Sequence, residues 1–310
     1  MNSRHRAQPR AHSRRNFLLL SGALPLLGIG AVTMRQLSDD RRSAPTPSAP
    51  RLSTPTTPAA TTTVASPSTM ARPTPNIERI IATHEATTPS QWGLDLPGCV
   101  SHIPGSTSRT IALTFDACGG PHGSAIDESL LATLREHRVP ATLFFNQRWV
   151  DANLEAAKKL AEDPLFQIEN HGTVHLPLSV RGQAAYGIAG TASARDVVQE
   201  IEGNRARLRN ALGVESNWFR SGTAHYDDVA IRIAHDLGVS IAGFATNGDF
   251  GATATATTVS SQLLGASPSA IAIMHMNQPR SGTAAGVAAA IPQLKAAGFE
   301  FVKLGPAPRS

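Results

Sequence analysis

Two histidines four residues apart, His171 and His175 in the run His171-Gly172-Thr173-Val174-His175, can face one side of a single turn and share a divalent metal ion. An ion held that way polarises a carbonyl and acidifies a bound water, which is the chemistry of hydrolysis. Elsewhere, an apolar run ends in Asp116-Ala117-Cys118-Gly119-Gly120, where the glycines let the backbone bend close to a ligand. The same carboxylate can equally cap a turn. Arg220, Asp249 and His275 are further ionisable residues, each standing at or just beyond the end of an apolar run.

The elements that must position these groups follow from the apolar pattern. β-Branched and apolar runs cover Thr110–Phe115, Ala141–Phe145, Phe166–Ile168, Asn217–Phe219, Ser240–Ala245, Ala270–Met274 and Phe299–Leu304. Between them lie stretches with apolar residues at helical spacing: Asp127–His137, Ala152–Glu162, Arg195–Leu212, Asp227–Leu237 and Ala284–Ala297. Short strands alternating with helices imply βα units on a parallel sheet, and about seven units suit a barrel or an open doubly wound sheet. On that map Asp116 ends the first strand, and His171, Arg220 and Asp249 follow the third, fourth and fifth. His275 ends the sixth. The C-terminal rim of such a sheet is where chemistry is carried. Ionisable groups gathered there are a costly way to build a core unless they are paired or functional.

Five segments in this order resemble the motifs of the polysaccharide deacetylase family. Thr114-Phe115-Asp116-Ala117-Cys118-Gly119-Gly120 is similar to the first, commonly T-F-D-D-G. His171–His175 resembles the second, H-[ST]-x-x-H, with Gly172 at the Ser/Thr position. Phe219-Arg220-Ser221-Gly222-Thr223 stands where R-P-P-[YF] is usual, and Asn247-Gly248-Asp249-Phe250 where D-x-x-D-W is frequent. Ile273-Met274-His275 matches L-x-H. The resemblance covers about residues 105 to 305. It implies an α/β fold, a distorted (β/α) barrel, and a divalent metal, usually zinc, used to remove acetyl groups from sugars. It further implies His171 and His175 as metal ligands and Asp116 as the general base. Arg220 would then hold Asp116 ionised, His275 would be the general acid, and Asp249 would orient His275.

One departure bears on the metal. The family pattern has a second aspartate as ligand, and here that position is Ala117, which cannot coordinate. Two histidines alone rarely hold zinc, so a third protein ligand is expected. Asp116 can bind directly, and Asp127 can reach back from beyond the glycines, although Asp127 also stands at a good helix N-cap position. Cys118 and His122 are the other candidates. A bridge between Cys118 and Cys99 would remove the thiolate; an exported chain can form one, and two free thiols are the alternative.

The N-terminal sequence predicts an exported domain. A basic start, with Ser13-Arg14-Arg15-Asn16-Phe17-Leu18-Leu19 followed by an apolar run, resembles a twin-arginine export signal over residues 1–33. No clean cleavage site follows, so the segment can also serve as a membrane anchor. Residues 34–76 are rich in Pro, Thr, Ser and Ala, and such a segment cannot offset its ordering entropy by burial. It reads as a disordered linker to a catalytic domain over 77–310. Residues 1–75 hold 10 Lys+Arg against 2 Asp+Glu, and the remainder 18 against 21. The folded part thus has no basic excess, which argues against nucleic acid as a partner. The expected partner is an acetylated polysaccharide or oligosaccharide, in the periplasm or outside the cell, held in a compact cleft shaped partly by the long loop Ser179–Ser193. An O-acetyl esterase of the same fold and a non-catalytic glycan-binding protein are the competing functions.

Overall fold

A computed structural model describes residues 75–308. Apart from Pro75 and Asn76, the expected signal and linker lie outside the described residues. From Asn76, whose side chain accepts the Arg79 N–H, the chain enters helix α1 (Ile77–His84). It continues through β1 (Trp92–Gly93), β2 (Cys99–Val100), β3 (Thr110–Ala117), α2 (Glu128–Glu136), β4 (Ala141–Phe145), α3 (Gln147–Ala152), α4 (Leu154–Glu162) and β5 (Phe166–Asn170). The second half adds α5 (Ala194–Leu212), β6 (Trp218–Phe219), β7 (Tyr226–Asp227), α6 (Asp228–Asp236), β8 (Ser240–Ala242), β9 (Thr246–Asn247), α7 (Ala256–Leu264), β10 (Ala270–His275), α8 (Thr283–Ala296) and β11 (Glu300–Phe301). Among the described residues no helix is long and apolar enough to cross a membrane.

Strands β1 and β7 pair antiparallel with each other. The rest form one parallel sheet in the order β2-β8-β6-β5-β4-β3-β10-β9, with β11 beside the first residues of β3. The sheet curls back on itself. Just past β2, Ser101 O accepts the Ile271 N–H, and the Ile103 N–H donates to Ser269 O, tying the first edge to β10. The result is the distorted (β/α) barrel expected, with nine strands rather than about seven, because β2 and β9 are two-residue strands with no periodicity of their own.

Two differences have local causes. The strand expected over Ser240–Ala245 ends at Ala242 as β8, where the carbonyls of Ala242 and Gly243 turn to the Arg220 guanidinium at 3.1 and 3.3 Å, and β9 begins only beyond it. The helix expected over Ala152–Glu162 is two helices, separated by Asn153 at φ −134°. Helix α7 had no amphipathic signature: it is Thr- and Ser-rich and uncharged, and it starts where Thr255 accepts the Thr258 N–H.

Strand alternation sorts β3 into two faces. Ile111, Leu113, Phe115 and Ala117 pack outward, in one apolar cluster with Leu130 of α2 and Ile291 of α8. Ala112 packs inward with Phe144, Trp218, Ala242 and Ile271. Each of the larger side chains among them, Leu, Ile or Phe, stabilises the fold by about 1.5–3 kcal/mol when fully buried. The inward face continues upward through Thr114 to Asp116, so the polar groups stand on top of a packed plug.

Candidate active site

Asp116 and Arg220 form the floor. Arg220 stands immediately after β6 and is fully buried. Its Nη1 donates to Asp116 Oδ1 at 2.8 Å and to Thr114 Oγ1 at 2.9 Å, while Nε donates to Ala242 O. Its guanidinium lies 4.3 Å from the ring centroid of Phe144. Burial alone would push the Asp116 carboxyl up. The positive charges of Arg220, His171 and His275 outweigh this and hold it below the usual range, so Asp116 is ionised at neutral pH.

The histidine pair sits on the turn after β5. His171 Nδ1 lies 2.9 Å from Arg220 O, so that nitrogen donates and Nε2 carries the lone pair. Nε2 lies 3.7 Å from Asp116 Oδ2 and 3.7 Å from Cys118 Sγ. His175 takes a left-handed backbone, φ 67°, rare for a residue with a side chain. Its Nε2 is buried without a partner. The Glu200 carboxylate holds this strained turn by accepting the backbone N–H groups of Val174, His175 and Leu176. Gly172, at φ 82°, sits where a Cβ would collide with that carboxylate, which explains glycine at the usual Ser/Thr position. Gly222 is explained likewise: a Cβ there would collide with His175.

Cys118, His171 and His175 offer ligand atoms that all lie within 4.8 Å of one another. Burial would raise the Cys118 thiol, but the contact with His171 and the neighbouring imidazoles of His175 and His275 hold it well below the ordinary thiol range. Burial would lower His171, and the charge of Asp116 and the contact with Cys118 raise it instead. A proton on His171 Nε2 would therefore compete with any ion bound there.

His275 ends β10 directly beside Asp116 in register. Its Nδ1 lies 2.9 Å from Asp249 Oδ1. Burial would lower this imidazole too. Asp249 and Cys118 raise it well above the ordinary histidine value, so it is protonated at neutral pH. Asp249 is fully buried and also accepts from Thr283 Oγ1 at 2.9 Å.

The structure thus brings Asp116, His171, His175, Arg220, Asp249 and His275 together. Asp127 stands apart, as the N-cap of α2. Its Oδ1 accepts the Leu130 N–H at 3.0 Å, and it is not part of the cluster around the histidine pair. His122 is exposed and also outside that cluster. Cys99 and Cys118 are both free. Sequence reasoning missed Glu200 and the buried asparagines Asn146, Asn170 and Asn204. Asn146 Nδ2 donates to His171 O and Gly172 O, Asn170 Oδ1 accepts the Gly172 N–H, and Asn204 Nδ2 donates to Asn170 Oδ1. Asn146 and Asn170 are polar residues at strand ends, the same signal that picked out Asp116.

A cleft of about 460 Å³ opens over Asp116 and His275. Tyr186 and Ile188 of the long loop line one part of it, with Phe250 and Thr223 elsewhere on the wall. Tyr186, 77% exposed, stands edge-on to His225 with ring centroids 5.1 Å apart.

Comparison with known proteins places the fold among relatives. Residues 104–242 match the family model for polysaccharide deacetylase. Over 208 residues the chain is 26% identical to the peptidoglycan-N-acetylglucosamine deacetylase PgdA of Listeria monocytogenes, covering 66% of this chain and 40% of that protein. The chain spans less than half the length of the curated relatives it matches. Among solved structures, a CE4 family pseudoenzyme from Bacillus anthracis superposes with a TM-score of 0.53 at 22% identity, covering 64% of each chain. A family 4 acetyl xylan esterase from Clostridium thermocellum, solved with a cobalt ion, gives 0.52 at 22% identity, over 63% of this chain and 88% of that one. At these identities the two structures speak for the fold alone. The five motifs at the strand ends and the family match from β3 through β8 together mark a polysaccharide deacetylase domain within the chain.

Proposed function

We propose that the domain is a metal-dependent hydrolase that removes N-acetyl groups from an envelope or extracellular polysaccharide. The observation that carries this reading is the pairing of Asp116 with His275. They stand abreast on β3 and β10, each with its own buried counter-group, Arg220 and Asp249. A base held ionised beside an acid held protonated is what acyl transfer needs at one pH.

The histidine pair fits an ion: His175 Nε2 is a buried nitrogen with no partner, and the bond of His171 Nδ1 to a backbone carbonyl leaves the Nε2 lone pair facing Cys118 and Asp116. A divalent ion there, zinc in this reading, supplies polarisation of the acetyl carbonyl and a lowered pKa for water. Asp116 has Oδ1 committed to Arg220, so Oδ2 takes the proton from the attacking water. Asp249 fixes His275 through Nδ1, which leaves Nε2 to pass a proton to the departing amine. The aromatic and apolar wall of the cleft positions the sugar above these groups.

The substrate class draws on the likeness to a peptidoglycan-N-acetylglucosamine deacetylase. The twin-arginine-like start and the Pro/Thr-rich linker support export to the periplasm or beyond, with the N-terminal segment as tether. Acetate release by the zinc-loaded full chain tests the reading, with N-acetylglucosamine oligomers and O-acetylated xylan in parallel. Release from the former is expected. Release from the latter alone would make it an esterase, and glycan binding without release from either would make it a binding protein.

A further inference from the structure

The reading above leaves the ion with two histidines and no carboxylate at position 117. We propose that Cys118 supplies the missing ligand as a thiolate, so that the centre is Cys-His-His and selects soft, thiophilic divalent ions. This rests on the metal-dependent reading of the site and goes beyond it in naming the third ligand and the class of ion.

Four observations carry it. Strand alternation puts Asp116 and Cys118 on the same side of the chain, while the side chain between them, Ala117, is fully buried in the outer apolar cluster. A carboxylate at 117 in this backbone would point into packed Leu, Phe and Trp, so Ala117 is a core residue here rather than an emptied ligand position. Next, Cys118 Sγ lies 3.7 Å from His171 Nε2. With Zn–S about 2.3 Å and Zn–N about 2.0–2.1 Å, a tetrahedral ion sets its sulfur and nitrogen ligands roughly 3.6 Å apart. The spacing therefore suits an ion between them with little rearrangement. Thirdly, among the described residues the group of Cys118, His171 and His175 is the one whose ligand atoms all fall within 4.8 Å of one another; Asp127 and His122 are not in it. Finally, His175 Nε2 is buried and unpartnered beside this thiol.

Glycines make the placement feasible. Gly119 follows at φ 70°, and a Cβ there would clash with the backbone of Arg148 and Trp149. The chain thus turns sharply just after Cys118 and packs against the start of α3, and Arg148 Nη2 bonds the Cys118 carbonyl at 3.2 Å. On binding, the thiol gives its proton to solvent and its sulfur lone pair to the ion, with no change of oxidation state. A thiolate in place of a hard oxygen favours zinc and cobalt over magnesium and manganese.

The test is spectroscopic and analytical, on the full chain. Loaded with cobalt(II), the protein is expected to bind one ion and to show an intense near-ultraviolet thiolate-to-cobalt charge-transfer band, which Cys118→Ser abolishes. Zinc binding by Cys118→Ser should weaken by more than the roughly 10–100-fold that loss of an indirect supporting contact costs. A second measurement needs no variant. Zinc should protect Cys118 of the native chain from alkylation, read by mass spectrometry, and leave the reactivity of Cys99 unchanged. A cobalt protein that holds one ion with no such band, or unaltered zinc affinity in Cys118→Ser with the thiol alkylated equally fast in both states, would overturn the proposal. Either result would leave a metal-dependent deacetylase standing. Conversely, a band without acetate release would support the Cys-His-His centre while sinking the activity.

Discussion

His275 and Asp249 meet twice: the imidazole Nδ1 lies 2.9 Å from Oδ1, and the His275 backbone N–H donates to Oδ2 at 2.7 Å. Ring and backbone of one residue are clamped by a single carboxylate, itself held by Thr283. The clamp fixes the ring orientation and stabilises the imidazolium.

Replacing Asp249 with Asn keeps the shape and removes the charge. The raised value of His275 means that its acid form is lost only as pH climbs through that elevated value. In Asp249→Asn the alkaline limb of the kcat profile should move to lower pH. At neutral pH kcat should fall by about 10–100-fold, part of the 10²–10⁴ that a positioned acid contributes. An unmoved alkaline limb in a pH-rate series would contradict the role.

Arg220 and Asp116 form a buried ion pair, so losing one partner strands the other. Arg220→Met should destabilise the fold by about 3–5 kcal/mol in urea unfolding. The double variant Arg220→Met with Asp116→Asn should recover part of that loss, because no charge is then left unpaired. A double variant as unstable as the sum of the two singles would show that the two do not interact.

In the proposed metal centre, Glu200 and Gly172 would act on the ion through the turn they shape. Gly172→Ala must relieve a positive φ and a collision with the Glu200 carboxylate. It is expected to lower zinc affinity by about 10–100-fold, the range seen when support of a ligand is lost. Glu200→Ala frees three backbone N–H groups and should act in the same direction. Isothermal titration of each variant with zinc reads the effect directly, and wild-type affinity in both would refute it.

Glu169 predicts a pH dependence of stability away from the chemistry. Burial lifts its carboxyl from 4.5 to about 7, against hydrogen bonds from Gln167 and from the Trp218 and Asn217 backbones. Between these values the folded state keeps a proton that the unfolded state has lost, so stability falls as pH rises from about 4.5 to about 7 and levels off on either side. The contribution is at most ~1.4 kcal/mol per pH unit. Urea midpoints of Glu169→Gln relative to the native chain should show this slope removed; identical pH dependence would count against it.

How much of this was legible beforehand depends on the range of the interaction. A lone polar residue closing an apolar run is a local signal, and it located Asp116, His275 and their neighbours on one rim. The central strands β3, β4 and β10 are long enough for their pattern to show. Strands β2 and β9 are two residues each and exist because the barrel closes there, which nothing local encodes.

The errors share that origin. Asp127 carries both a helix-capping and a ligand-like signature, and only the fold shows its Oδ1 bonded to Leu130. Glu200 lies on a helix 25 residues beyond His175, where an acidic side chain reads as a solvated surface group until the turn is seen folded over it. Ala117 read as a lost ligand because family spacing was carried over without the strand's alternation.

The central claim is metal-dependent deacetylation at this rim, and acetate release before and after metal removal tests it most directly. The full chain should release acetate from N-acetylglucosamine oligomers, lose that activity when a chelator strips it, and regain it with zinc, whereas the His171→Ala, His175→Ala double variant should stay inactive throughout. Acetate release that survives complete removal of the metal, or none from the zinc-replete protein, would contradict the account.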